Sequence, residues 1–152
     1  MSTDFENLTH VPLIRLLGLV FADFQDELYG RFAAAGFGDI RPGHGCVFGS
    51  IDPEGSRLTD LAESAHMTKQ SVGEAATDLE RRGYVERLPD ATDGRVKIIR
   101  LTDRGREAQR VGLELIDEIE RDWAERYGEA EVAALRETLE AIAAGHLSPI
   151  PA

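Results

Sequence analysis

Between Arg57 and Thr102 the apolar period of the chain switches, and that switch constrains the fold more than any other stretch. Leu58, Leu61, Ala62 and Ala65 form a short apolar face at near-helical spacing. Thr68 then reads as an N-cap, because its hydroxyl can accept a bond from a first-turn amide that is otherwise unpaired. From Lys69 onward the apolar positions are Val72, Ala75, Ala76 and Leu79, a single helical stripe. Gly83 follows Arg81 and Arg82, as a C′ glycine follows basic residues at a helix end. Beyond it the period becomes two. Tyr84, Val85 and Leu88 lead into the turn-forming run Pro89-Asp-Ala-Thr-Asp-Gly, and Val96, Ile98, Ile99 and Leu101 make the return strand. Two short helices joined by a tight turn and followed by a ribbon form a winged helix-turn-helix, which presents one helix to the DNA major groove. Ala62 suits a close crossing of the two helix axes. Most helix-turn-helix sequences place Gly four residues later; here it is His66, which has to enter a left-handed conformation at some cost.

The tip of the ribbon reads Asp93-Gly-Arg95, and the next helix opens with Leu101-Thr102-Asp-Arg-Gly105. With the helix-turn-helix before them, these motifs resemble the MarR-type regulators, a family of dimeric winged-helix repressors. The helix order resembles that family over nearly the whole chain. The resemblance implies a mainly α (α+β) fold, a winged helix-turn-helix with long N- and C-terminal dimerisation helices. It implies one MarR-like domain over 1–152. Within it, 9–40 and 103–145 are the dimerisation helices and 41–102 the winged helix-turn-helix, with its wing at about 84–102. It further implies a homodimer on a pseudo-palindromic operator, with recognition helices in successive major grooves and wings in the flanking minor grooves. Arg95 is the residue expected to reach the minor groove, with Asp93 holding its guanidinium, and to favour narrow A·T-rich DNA. A small phenolic or lipophilic effector is expected between the dimer helices and the reading head. The family's usual pocket location points to Arg15, His44 and Phe48.

A net charge of −11 runs against nucleic-acid binding unless it is unevenly placed. From Arg57 to Arg106 there are ten Lys/Arg against nine Asp/Glu, and the remainder holds seven against nineteen. The acid therefore lies outside the reading head, where it limits indiscriminate binding while a local patch supplies the affinity.

At 152 residues the chain forms one domain able to bury a core. No apolar run approaches the ~20 residues of a membrane span, and no signal segment is evident at the N-terminus. A single cysteine excludes an internal disulfide, and a cytoplasmic protein is expected. Residues up to Asn7 read as frayed. A long helix starts at about Thr9 or Val11, with Pro12 in its first turn, and runs along Leu13, Leu17, Val20, Phe21, Phe24, Leu28, Phe32 and Ala35 to Gly36. A short second helix starts at Pro42. Its glycines, Gly43, Gly45 and Gly49, either allow close approach to the first helix or leave room for a ligand. Ser56-Arg57-Leu58 supplies a small first strand. Thr102 caps a helix from Asp103 to about Tyr127, with an apolar stripe of Ala108, Val111, Leu115, Ile119 and Trp123. Gly128 ends it, and Glu129 opens a last helix with Val132, Leu135, Leu139 and Ile142, closed by Gly145. Two amphipathic helices with no third partner call for a second chain. Ser148-Pro-Ile-Pro-Ala is a short extended tail.

The exposed face of the recognition helix is expected to carry Lys69, Gln70, Ser71, Gly73, Glu74 and Thr77. Gln pairs with adenine, Lys with guanine or phosphate, and Ser or Thr suits either. Thr68 adds a phosphate contact beside the helix N-terminus. Glu74 either accepts from cytosine or discourages wrong sites. On the wing Lys97 joins Asp93 and Arg95, with Arg87 and Arg100 secondary. His44 lines an effector pocket or caps the second helix, and the cap is favoured. Cys46 invites a thiol-sensor reading, but no nearby Lys or Arg lowers its pKa, so a small buried hydrophobe fits better. His10, His66 and His146 are scattered, so no metal site is expected. No cofactor or enzyme motif is found either. The function read from the sequence is a ligand-responsive, DNA-binding transcriptional repressor. The alternatives are a winged helix that binds protein instead of DNA, and a redox sensor working through Cys46.

Overall fold

The computed structural model describes residues 10–145. The fraying expected up to Asn7, the Thr9 helix onset, His146 and the tail from Ser148 lie outside the described residues. The elements are α1 (Leu13–Ala34), a single 3₁₀ turn (Pro42–His44) running into α2 (Gly45–Phe48), β1 (Ser56–Arg57), α3 (Leu58–Ser64) and α4 (Lys69–Arg81). They continue with β2 (Val85–Pro89), β3 (Lys97–Leu101), α5 (Asp103–Tyr127) and α6 (Glu129–Ala143).

Three helix ends are built alike. After α1, Gly36 takes φ +94°. Its amide bonds to Ala33 O while that of Phe37 bonds to Phe32 O, the paired bonds of a Schellman end. Gly83 ends α4 in the same way, with Tyr84 N bonded to Leu79 O. His66 ends α3, taking φ 51° while Met67 N bonds to Ala62 O. The left-handed position expected for His66 is therefore a helix-ending position, filled by a residue that pays the Cβ penalty.

The start of α1 differs from expectation. Pro12 stands before the helix with ψ 141°, not within the first turn, and its carbonyl accepts from Arg15 N and Leu16 N. A proline also pushes the residue before it out of helical geometry, so Val11 cannot extend the helix backwards.

The sheet has the order β1-β3-β2, antiparallel throughout. In the wing Val85 pairs with Leu101, Arg87 with Ile99 and Pro89 with Lys97. The core lies where α3 and α4 pack beneath this sheet, around Leu61, Val72, Ala76, Leu79, Tyr84 and Ile99. Each large apolar side chain buried there contributes about 1.5–3 kcal/mol.

Two glycines bring α5 against this core. A Cβ on Gly105 would stand 3.0 Å from the Tyr84 carbonyl carbon and closer still to its oxygen. A Cβ on Gly112 would meet the Phe32 ring of α1 at 2.7 Å. Thr102 locks the junction: its hydroxyl donates to Gly83 O (2.6 Å), accepts from Gly105 N (3.1 Å), and its amide bonds to Tyr84 O (3.0 Å).

The outer helices are less complete. In α1 only Phe32 is fully buried, and α6 buries no residue. Leu13, Ile14, Phe21 and Ile142 stay between 63% and 78% exposed. An apolar surface of this extent on two adjoining helices is an unfinished bundle. No helix among the described residues is long and apolar enough to cross a membrane.

Candidate nucleic-acid interface

Helix α4 enters its first turn through Thr68, whose Oγ1 accepts from Ser71 N at 3.1 Å and lies 2.9 Å from Ser71 Oγ. Lys69, Gln70, Ser71 and Glu74 are exposed on the face away from the core, with Gln70 donating to Glu74 Oε1 at 3.3 Å. Val72, Ala76 and Leu79 hold the opposite face in the core. This face offers a cation, an amide and a hydroxyl on one rigid helix, the groups that read base edges and phosphate.

Two residues expected on that face are engaged elsewhere. Thr77 is half-buried: its hydroxyl donates to Gly73 O (2.8 Å) and accepts from the Arg87 guanidinium (2.9 Å). Gly73 faces Leu58, whose Cδ2 lies 3.6 Å from where a Cβ would be. The helix turns by about 100° per residue, so Gly73 and Thr77 fall on the flank against α3 and β2. Arg87 accordingly braces α4 to β2 through Thr77 and Glu80. Arg100 forms a cross-strand pair with Glu86 at 2.7 Å, as the register places them opposite each other.

At the wing tip Asp93 Oδ1 accepts from the backbone amide of Arg95 at 3.1 Å. It therefore shapes the turn and does not hold the guanidinium, correcting the role expected for it. A carboxylate accepting an amide two residues on is the usual Asx turn. The base of the tip is fixed by Asp90, which sequence reasoning passed over. Its Oδ1 accepts from the Thr92 amide and hydroxyl, both at 2.8 Å, and Oδ2 pairs with Arg57 of β1. These bonds, the Thr92 pair foremost, pull the Asp90 carboxyl down to about 2. The Asp-Ala-Thr spacing after Pro89 was the available signal for this turn.

The cations of the head divide in a way that net charge hides. Arg57, Arg82, Arg87, Arg100, Arg104 and Arg106 are each paired with a carboxylate. Lys69, Arg81, Arg95 and Lys97 have no such partner among the described residues, and all four are exposed. All four lie on α4 or the wing. Arg81 was not expected as a contact, although it follows Thr77 by four residues and stays exposed. Outside the head Arg31 meets Glu27, Glu118 and Asp122, Arg110 meets Glu107 and Glu114, and Arg136 meets Glu120, while Arg41, Arg121 and Arg126 have no carboxylate partner among the described residues. Within the head, unpaired positive charge is thus confined to α4 and the wing.

The model of the MarR family matches residues 42–96. The fold is similar to the reduced form of MarR from E. coli (TM-score 0.76, 22% identity, covering 89% of this chain and 98% of that one). It is also similar to MepR of S. aureus in its DNA complex (TM-score 0.73, 20% identity, 91% and 100% covered). A third similar structure is CouR from Rhodococcus jostii RHA1 bound to p-coumaroyl-CoA (TM-score 0.67, 23% identity, 88% and 93% covered). A search of curated protein sequences returns no match.

The fold is the winged helix that these MarR-type structures share.

A cavity of about 150 Å³ lies between α1, α2 and α5, walled mainly by apolar groups that include Tyr29, Phe32, Phe48 and Ile116. Phe48, expected in the effector pocket, lines it; Arg15 and His44 do not. Arg15 sits in the first turn of α1, away from the α2–α5 wall. His44 is 4% exposed, its Nδ1 accepts from Arg41 N (3.0 Å) and its Nε2 meets Asp78 Oδ2 (2.7 Å). The first of these bonds is the cap favoured for it. Cys46 is half-buried, donates to Gly43 O at 3.3 Å, and has its thiol pushed up by burial. That direction opposes thiolate reactivity.

Proposed function

We propose that the chain is a homodimeric, sequence-specific DNA-binding transcriptional regulator, acting as a ligand-responsive repressor on a pseudo-palindromic operator. The observation that carries this reading is the placement of Lys69, Arg81, Arg95 and Lys97, the unpaired cations of an otherwise neutralised head. In this reading Thr68, Lys69, Gln70, Ser71 and Glu74 face the major groove. Arg95 and Lys97 follow the wing to the minor groove, and Asp93 keeps the tip in shape. Thr77 contributes by fixing the helix flank. The likeness to MepR in its DNA complex supports the DNA partner. The likeness to CouR with p-coumaroyl-CoA supports a small effector, for which the apolar cavity beside Phe48 is the site. Such an effector acts only if it binds the arrangement unfit for DNA more tightly than the fit one.

The exposed apolar faces of α1 and α6 support a second copy as the element that completes the bundle. On this reading the protein is non-catalytic and works in the cytoplasm. Selection from a random-sequence DNA pool tests it: an enriched inverted repeat with half-sites about one helical turn apart is expected. If no sequence enriches, a winged helix that binds an acid-tolerant protein partner takes its place, as the net charge of −11 would favour.

A further inference from the structure

Helix α2 is held at its two ends by different parts of the molecule. At the N-terminal end His44 Nδ1 accepts from the Arg41 amide, which leaves the ring proton on Nε2. That proton is donated to Asp78 on α4 at 2.7 Å, and Asp78 is backed by Arg82 Nε at 2.9 Å. At the other end the Phe48 carbonyl accepts from Gln109 Nε2 of α5 at 2.8 Å. Gly45, Phe48 and Gly49 between them face the cavity, and so does Gln109. A single helical turn therefore connects the dimer helix to the recognition helix, with the cavity along its side. Asp78 and Gln109 themselves share no hydrogen bond.

We infer that α2 is a strut that sets the pose of α4 relative to α5, with His44 and Gln109 as positioning residues at its ends. Whatever fills the cavity then acts on the recognition helix by moving this strut. The buried histidine is thereby accounted for, since its bond to a half-exposed carboxylate spans two elements and serves neither as a core filler nor as a cavity wall. Cutting either end frees α4 to sample poses that DNA binding must then restrict, so affinity falls.

The inference rests on the regulator reading, and a double-mutant cycle on operator affinity separates the two. Asp78→Ala and Gln109→Leu are each expected to raise the operator Kd by about fivefold, within the range for single residues on a coupling route. If α2 is the strut, cutting the second end adds little, and the double variant stays within about twofold of the weaker single variant. Asp78→Asn, which still accepts from His44, restores near-native affinity. Independent effects would multiply to about 25-fold, and that outcome overturns the strut. So does an Asn variant as weak as the Ala one, because the charge beside Arg82 is then what counts. If the native chain selects no operator, the regulator reading falls and the strut has no reading pose to set. That failure is seen in the native protein alone, before any variant is compared.

Discussion

Replacing Gly105 by Ala probes the joint between the winged helix and α5. The new methyl carbon would stand 3.0 Å from the Tyr84 carbonyl carbon and 3.1 Å from Leu101 Cδ2, with the Tyr84 oxygen nearer than either. The obstruction is backbone, so no side chain can swing aside, and α5 or the start of β2 has to move by about 1 Å. Overpacking of this kind costs about 1–3 kcal/mol. The same shift stretches the bond from Thr102 N to Tyr84 O, worth about 1 kcal/mol. A loss of about 3 kcal/mol lowers the melting temperature by about 6–12 °C in a chain of this size. Urea unfolding followed by far-ultraviolet circular dichroism, at one fixed protein concentration because a dimer unfolds by mass action, measures it. Gly94→Ala is the control: nothing lies within 4 Å of its Cβ position, so its unfolding midpoint should not move. A Gly105→Ala protein within about 0.5 kcal/mol of native, the scatter of ordinary surface substitutions, refutes the close-approach reasoning.

Thr68→Ala removes the bond to Ser71 N and should cost about 1 kcal/mol of stability, read by the same urea titration. The Asp90 carboxyl titrates at about 2 when folded, below its ordinary 3.8, so its stabilisation is present above pH ~4 and fades as pH falls toward 2. Native protein should therefore exceed Asp90→Asn in stability at neutral pH, with the gap closing across that acid window; a gap independent of pH contradicts the assignment. Phe21→Asp, on a side chain 63% exposed in one protomer, should shift sedimentation from dimer to monomer, and an unchanged dimer would place the interface elsewhere.

The elements legible in the sequence were those whose local chemistry and long-range packing agree. The α4 stripe, the Thr68 and Thr102 caps, Gly83 and the wing alternation are satisfied by near neighbours in the chain, and each has its expected geometry. His66 was legible as a left-handed position because its place after α3 demands one, whatever residue fills it. What the sequence hid depends on partners far along the chain. Thr77 looks like any outward threonine until Arg87 folds over it. His44 meets Asp78, 34 positions away, a pairing that no spacing announces. The tip carboxylates were separable only in part. Asp93 and Asp90 each precede a turn amide by two residues, yet only Asp90 also finds an arginine, Arg57, which comes from β1. Charge counting showed that the head was near neutral, but not that six of its arginines are spent on carboxylates and that Lys69, Arg81, Arg95 and Lys97 remain.

If the chain reads DNA as proposed, the unpaired cations of α4 and the wing engage phosphate and groove. Fluorescence anisotropy on the selected operator across a salt series, comparing native protein with Arg95→Ala, tests it most directly. Affinity of the native chain should weaken steeply with salt, with Arg95→Ala binding less tightly and its log–log slope shallower by about one. Equal affinity and equal slope for the two proteins would contradict that engagement.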